Sequence, residues 1–240
     1  MKTINYGTRA RLGMLLPSRN QAAEPQFNAM LPTGVSLHTT RLKLRGSSEA
    51  DLLAMTERVE EAAQLVADSG AGLIVFHCTA VTTFSPDLER SIKERVARAS
   101  GKPTTTTAEA ILAALKTLGA QRIVMLSPYT EAVNAREAEF FRSAGFEILG
   151  YAGLDCPDAN AMMAVPPARW REFAREHKNE YAQAYLISCT TVRSTDVIED
   201  MERELGRPVI TSNTAVAWHC LRSMGIADKV TDFGCLLSKH

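Results

Sequence analysis

The apolar positions of this chain fall into short continuous runs, separated by longer stretches in which they recur at helical spacing. Arg11–Pro17 reads as a buried strand that ends in a polar loop, Ser18-Arg19-Asn20-Gln21. Val35–Leu44 alternates apolar and polar residues, as a half-buried strand does. Ser48 followed by Asp51 forms a capping signal that opens a helix to about Asp68, with Leu52, Met55, Val59, Ala62, Ala63 and Val66 on one face. Gly72–Cys78 is apolar without alternation, which suits a parallel strand covered on both sides. Pro86 stands in the first turn of a helix running to about Ser100. Pro103–Thr107 is a β-branched strand, and Ala108–Leu118 is a helix closed by Gly119. The second half predicts strands at Arg122–Ser127, Phe146–Leu154, Tyr185–Cys189 and Val209–Ser212. Helices are expected at Glu131–Ala144, Pro167–His177, Thr195–Leu205 and Thr214–Met224. Asp155–Pro167 is the one irregular stretch and reads as a loop over a site, in which Met162-Met163 is either lid or packing.

Strands alternating with helices predict an α/β fold with parallel sheets. The pattern also repeats. Cys78 and Cys189 each end an apolar run, and each lies 61 residues after a proline, Pro17 and Pro128, that ends an earlier run. Gly-Lys-Pro-Thr-Thr-Thr-Thr-Ala (101–108) is answered by Gly-Arg-Pro-Val-Ile-Thr-Ser-Asn (206–213). The internal repeat divides the chain into halves, 1–118 and 119–240, with an exchange of the first half's terminal helix left open.

Composition removes several classes of function. The 27 basic residues balance 27 acidic ones with no long run of either sign, which argues against nucleic-acid or membrane-surface binding. No stretch of 18 apolar residues exists, and Met1–Arg9 has no apolar leader core, so a soluble cytoplasmic protein is expected. Five cysteines is an odd number and none forms a Cys-x-x-Cys pair, which speaks against both a disulfide framework and zinc. No metal or other cofactor is expected.

Open parallel sheets bind ligands at the carboxyl ends of their strands. That places the Ser18/Asn20 loop, Cys78-Thr79, Tyr129-Thr130 and Cys189-Thr190 around one site, whose neutral donors suit a small carboxylate. A lone cysteine in such a position is more often an inert hydrophobe. Two at matching repeat positions, each followed by threonine, point to catalysis. A nearby helix amino terminus would lower their pKa. Cys156, Cys220 and Cys235 lack the pattern and read as structural or incidental, His77 reads as a packing or hydrogen-bonding residue, and His219, on a helix, is not expected to be functional. Arg19 and Arg193 stand open between substrate contact and solvated loop.

The repeated half, Pro17-Ser18-Arg19-Asn20, Cys78, Ser127-Pro128-Tyr129-Thr130 and Ser188-Cys189-Thr190 together resemble the aspartate/glutamate racemase superfamily, in its maleate cis-trans isomerase and arylmalonate decarboxylase branch. The resemblance runs from about Arg11 to Met224. It implies two pseudo-symmetric flavodoxin-like halves, each a parallel sheet flanked by helices, with a cofactor-free site between them. It implies Cys78 as nucleophile, Cys189 as the opposing acid or base, and Tyr129, Asn20 and Asn160 as substrate ligands. A homodimer is a further implication. Isomerisation of a small dicarboxylate, maleate to fumarate, through a cysteine adduct is the leading expectation. The alternatives are a two-thiol racemase of an amino acid or related carbon acid, an arylmalonate-type decarboxylase, and a non-catalytic carboxylate-binding protein. Decarboxylases of the branch carry glycine where Cys78 stands. The residues Gln21-Ala22-Ala23 and the Thr-Ala-Val-Thr-Thr-Phe run after Cys78 depart from the isomerase pattern.

Overall fold

The computed structural model describes residues 4–46 and 48–240; Met1–Thr3, part of the leader reading, lie outside them. In the first half β1 (Ala10–Pro17) leads through α1 (Ala23–Met30) to β2 (Val35–Leu42). A helical stretch follows, α2 (Glu49–Ala54) and α3 (Val59–Ala67), and then β3 (Leu73–Phe76). The short α4 (Thr79–Thr82), α5 (Pro86–Ser100), β4 (Thr104–Thr106) and α6 (Thr107–Thr117) complete that half. The second half runs β5 (Arg122–Ser127), α7 (Glu131–Ser143), β6 (Glu147–Gly153), α8 (Ala159–Ala164), α9 (Pro167–Glu176) and β7 (Ala184–Ile187). It ends with α10 (Ile198–Leu205), β8 (Val209–Thr211), α11 (Ser212–Ser223) and α12 (Cys235–Lys239).

Each half holds a four-stranded, wholly parallel sheet, in the orders β2-β1-β3-β4 and β6-β5-β7-β8. The order reverses between β1 and β3 and between β5 and β7. Chain ends diverge there to opposite faces and leave a crevice beyond the carboxyl ends of the strands. Cys78 follows β3 and Cys189 follows β7, so the repeat delivers both thiols to such a switch point. The continuous apolar runs are covered on both faces: Leu73–Phe76 and Ala184–Ile187 are buried at every position. One apolar cluster joins Leu12, Met14 and Val75 of the first sheet to Met125 and Leu186 of the second through α6 and α11. α11 packs most extensively on α6 and also meets α1 and β3.

Several local features differ from the pattern read along the chain. The helix expected over 48–68 is interrupted by a 3-10 turn at Met55–Arg58, where the Thr56 hydroxyl donates to the Leu53 carbonyl. α1 starts from an Asx-type cap: Asn20 Oδ1 accepts from the Ala22 and Ala23 N–H groups at 3.0 and 2.9 Å. The supposedly irregular 155–167 segment contains α8, capped by Asp158, which accepts from Ala161 N at 2.9 Å. α4 forms at Thr79–Thr82, a stretch for which the sequence pattern gave no element.

The halves are tied by a buried polar seam. Asn213 stands at the start of α11. Its Oδ1 lies 2.8 Å from His77 Nε2, and its Nδ2 donates to Gln26 Oε1 at 2.5 Å. Because Asn213 Nδ2 is committed to acceptors, Oδ1 must accept, which fixes the proton of His77 on Nε2 and leaves Nδ1 to accept from Thr107 at 3.0 Å. Gln26 Nε2 donates onward to the Val192 carbonyl and Thr195 donates to Gln26. The His77 prediction was a packing and hydrogen-bonding residue, and it is fully buried in that role.

Burial lowers the His77 pKa to about 4, against a weaker upward pull from Asn213. The folded value lies below the unfolded one, so the neutral ring contributes stability that is present above about pH 6.5 and is lost as pH falls toward 4. Between about pH 7 and about pH 5 this group alone should cost about 2 kcal/mol. Urea unfolding of His77→Gln, which cannot take up the proton, should lack that component.

Candidate active site

Cys78 and Cys189 line a single cavity of about 160 Å³ between the halves, and Cys156, which lacked the repeat pattern, stands on the same wall. An apolar cavity of about 150 Å³ accepts benzene, so this one suits a ligand of comparable bulk. Asn20, Tyr129, Thr130 and Thr190 share its wall, as does Arg19. Leu44, Leu52, Val133 and Met162 form an apolar side. Met162 is buried, so α8 covers the site as part of its packing. Ser18 and Asn160 stand outside, in a polar vestibule shared with Arg19, Asn20 and Arg41.

The hydrogen bonds separate these residues further. Asn20 is buried, and its Nδ2 donates to Thr190 O (3.0 Å), Thr190 Oγ1 (2.9 Å) and Thr191 Oγ1 (3.0 Å). With Oδ1 capping α1, the Asn20 amide is fully committed to protein groups; it braces the Cys189 loop across the interface. Ser18 Oγ accepts from Leu44 N at 3.0 Å, and Asn160 Oδ1 accepts from Gln21 Nε2 at 2.8 Å, which closes the vestibule floor. Thr79 is buried away from the cavity wall and donates to Ser212 Oγ at 2.8 Å, whose oxygen also accepts from Cys189 N at 3.1 Å. Thr79 thereby links the two cysteine loops. Arg193 lies in a different groove, near Gln26 and Phe233.

Cys78 precedes α4 in an extended conformation, and the Ala80 and Val81 N–H groups favour its thiolate. Burial outweighs them and pushes its pKa up to about 12, with Cys189 adding to the rise. The same balance takes Cys189 to about 11, burial dominating over hydrogen bonds from Tyr129 and Thr191. The lowering expected from a helix amino terminus is therefore present at Cys78 but smaller than desolvation, and at Cys189 no helix begins to supply it. Tyr129 is itself raised by burial, so its hydroxyl is a donor across the working range. Its loop is held by Ser127 Oγ, which accepts from Tyr129 N, and by Asn134 Nδ2, which donates to Tyr129 O. Gly153 passes so close that a Cβ there would lie 2.0 Å from Tyr129 O.

Two features were missed in the sequence. Cys189 has φ +124°, a region comfortable only for glycine, and residues held there carry about 1–3 kcal/mol of strain. Glu137 on α7 is buried with both carboxyl oxygens on Ser188, next to Cys189. Charge patterning gave no reason to single out one glutamate of an ordinary amphipathic helix. Among the described residues no cluster of three or more His, Cys, Asp or Glu could hold a metal ion, and no helix is long and apolar enough to cross a membrane.

The profile of the arylmalonate decarboxylase family matches residues 12–237. The chain is 28% identical over 238 residues to a maleate isomerase of Nocardia farcinica, covering 95% of each chain. It is 26% identical over 220 residues to an arylmalonate decarboxylase of Bordetella bronchiseptica, covering 89% of this chain and 90% of that one. Among solved structures, a cysteine-to-serine variant of the Nocardia farcinica maleate cis-trans isomerase with a covalently bound succinylcysteine intermediate superposes with a TM-score of 0.90. That match has 24% identity and covers 96% of this chain and 99% of the other, and it fixes the fold.

The strain at Cys189 has a measurable consequence. Glycine normally destabilises relative to alanine by about 0.4–1 kcal/mol through unfolded-chain entropy. At φ +124° the order should invert, and Cys189→Gly should exceed Cys189→Ala in stability by about 1 kcal/mol in urea unfolding.

Proposed function

The chain belongs to the arylmalonate decarboxylase family, and from that premise we propose that it is a cofactor-independent cis-trans isomerase of a small dicarboxylate, maleate to fumarate. The observation that carries the reading is that, of the thiols on the wall of one small cavity, Cys78 and Cys189 each stand at the end of a central parallel strand. The maleate isomerase relatives support it, and the succinylcysteine of the Nocardia farcinica variant is what addition of a thiol to a four-carbon unsaturated diacid would leave in that protein.

In this reading Cys78 Sγ, as thiolate, forms a bond to one olefinic carbon. The π pair moves to the neighbouring carbon and into its carboxylate as an enediolate. Cys189 gives that carbon a proton, and the central bond, now single, rotates. Cys189 then takes a proton back as the C–S bond breaks with its pair returning to Cys78, releasing fumarate. Addition replaces a forbidding double-bond rotation by two easier steps. Tyr129 and Thr130 donate to the carboxylate on which charge develops, with Thr190 beside Cys189. Arg19 supplies the cationic group of the cavity wall for a dianion and also faces the vestibule. Asn20, Ser18, Thr79 and Asn160 serve by holding the loops. A homodimer in the cytoplasm completes the proposal, and sedimentation equilibrium tests the dimer.

The apolar side formed by Leu44, Leu52, Val133 and Met162 favours a second reading, a two-thiol racemase of a carbon acid with an apolar substituent. The branch decarboxylases' glycine at the Cys78 position weighs against decarboxylation.

Proton NMR with maleate in deuterated buffer should show fumarate, and Cys78→Ala should lower kcat by roughly 10⁴ or more. Cys189→Ser, whose hydroxyl can still give the adduct a proton but is too weak a base to take one back, should accumulate a protein species heavier by one maleic acid in intact-mass spectra. Absence of fumarate, with α-deuterium exchange into an arylpropionate that requires both thiols, would replace isomerase by racemase.

A further inference from the structure

Among the described residues Glu137 is the one buried acid in contact with the cysteine loops, and the proposed chemistry gives it no part. Its oxygens lie 2.7 and 2.8 Å from Ser188 Oγ, and Oε1 is 3.3 Å from Thr83 Oγ1. A hydroxyl has one proton to give. The Thr83 proton has a better acceptor in the Thr79 carbonyl at 2.8 Å, which leaves Glu137 the single proton of Ser188 for two oxygens. A buried carboxylate served by one donor is badly under-satisfied. The two short contacts are both satisfied when Glu137 carries a proton: one oxygen donates to Ser188 Oγ while the other accepts from it.

We propose that Glu137 rests behind the two thiols as a neutral acid, positions Ser188 and hence the strained Cys189, and is the first group of the site to lose its proton as pH rises. The groups facing it are Cys78 after β3, Tyr129 after β5 and Cys189 after β7, and ionised Glu137 raises the pKa of all three. Arg136, its neighbour on α7, pulls the other way. Arg136 is turned outward over the Phe84 ring at 4.3 Å, with Glu49 at 3.8 Å, so it does not act as a direct partner. Burial takes Glu137 up to about 7, below either thiol. Deprotonation of Glu137 thus places a negative charge behind the site before any thiolate forms and opposes that thiolate. Near neutral pH the site's responsiveness is governed by a residue that touches no substrate.

The inference rests on the two-thiol reading of the cavity, but its test runs on unliganded protein, so the two fail separately. Infrared difference spectra of the wild type should show a protonated-carboxyl stretch at about pH 6 that disappears as pH passes neutral and is absent in Glu137→Gln. Iodoacetamide alkylation of Cys78 and Cys189, read by peptide mass, should match between wild type and Glu137→Gln at about pH 6. At about pH 8 the variant should react faster, by roughly threefold to tenfold, since a nearby like charge is worth up to about one pKa unit here. A merely structural tether, which glutamine preserves, would move neither readout. If Glu137→Gln does not fold, Ser188→Ala should shift the carboxyl band instead. No such band at about pH 6, or superimposable alkylation profiles in the two proteins, would overturn the proposal.

Discussion

The site depends on a seam of buried polar side chains that runs beside the apolar α6–α11 contact where the halves meet. Asn20 reaches from the first half to Thr190 and Thr191, Gln26 to Val192 and Thr195, His77 to Asn213, and Thr79 to Ser212. Each bond adds little net stability, yet leaving one partner unmet in the interior costs about 1–3 kcal/mol. The seam therefore acts by exclusion. Any slip of one sheet against the other strands several polar groups at once, so the two cysteine loops have one permitted relation. An apolar interface would have been sticky but would not have fixed register in this way.

That same burial sets the chemical problem. Desolvation is the first cause of the rise in both thiols, and it exceeds the help given by Ala80 and Val81 at Cys78 or by Tyr129 and Thr191 at Cys189. A dry pocket strengthens every dipole aimed at developing charge on a substrate, at the expense of the resting thiolate. A thiol that is seldom ionised is an acceptable nucleophile when its reaction ends in a neutral C–S bond and its charge moves onto a carboxylate.

The architecture was legible because its signals are local. Continuous apolar runs at Leu73–Phe76 and Ala184–Ile187 read as doubly covered parallel strands, and the 61-residue spacing to Pro17 and Pro128 exposed the repeat. Cys78, Cys189, Tyr129 and Thr130 were reachable because strand ends converge in such sheets. What stayed hidden depends on partners far away in sequence. Nothing near Asn20 announces that Thr190 and Thr191 consume its amide, nothing near Glu137 reveals Ser188, and α1 needed the Asn20 cap to be recognised. Backbone strain at Cys189 leaves no compositional trace, since Thr190 and Thr191 carry no turn signature.

Duplication supplied two equivalent thiols, and the loops after them made them unequal. After Cys78 the chain turns into α4, directing backbone N–H groups at an unstrained thiol that is open to the cavity. After Cys189 no such helix forms. The residue is driven to φ +124°, its sulfur accepts from Thr191 N at 3.3 Å, and the Tyr129 hydroxyl lies against it. A nucleophile must advance toward carbon and withdraw again, which an unstrained residue before a short helix allows. A proton donor must instead stay where it is while the substrate rotates past; Cys189 N donates to Ser212 Oγ, Thr191 N donates to the Cys189 sulfur, and the preceding Ser188 is tied to Glu137, which together hold it there. The division of labour proposed for the pair follows from this asymmetry of backbone and not from any difference between the side chains.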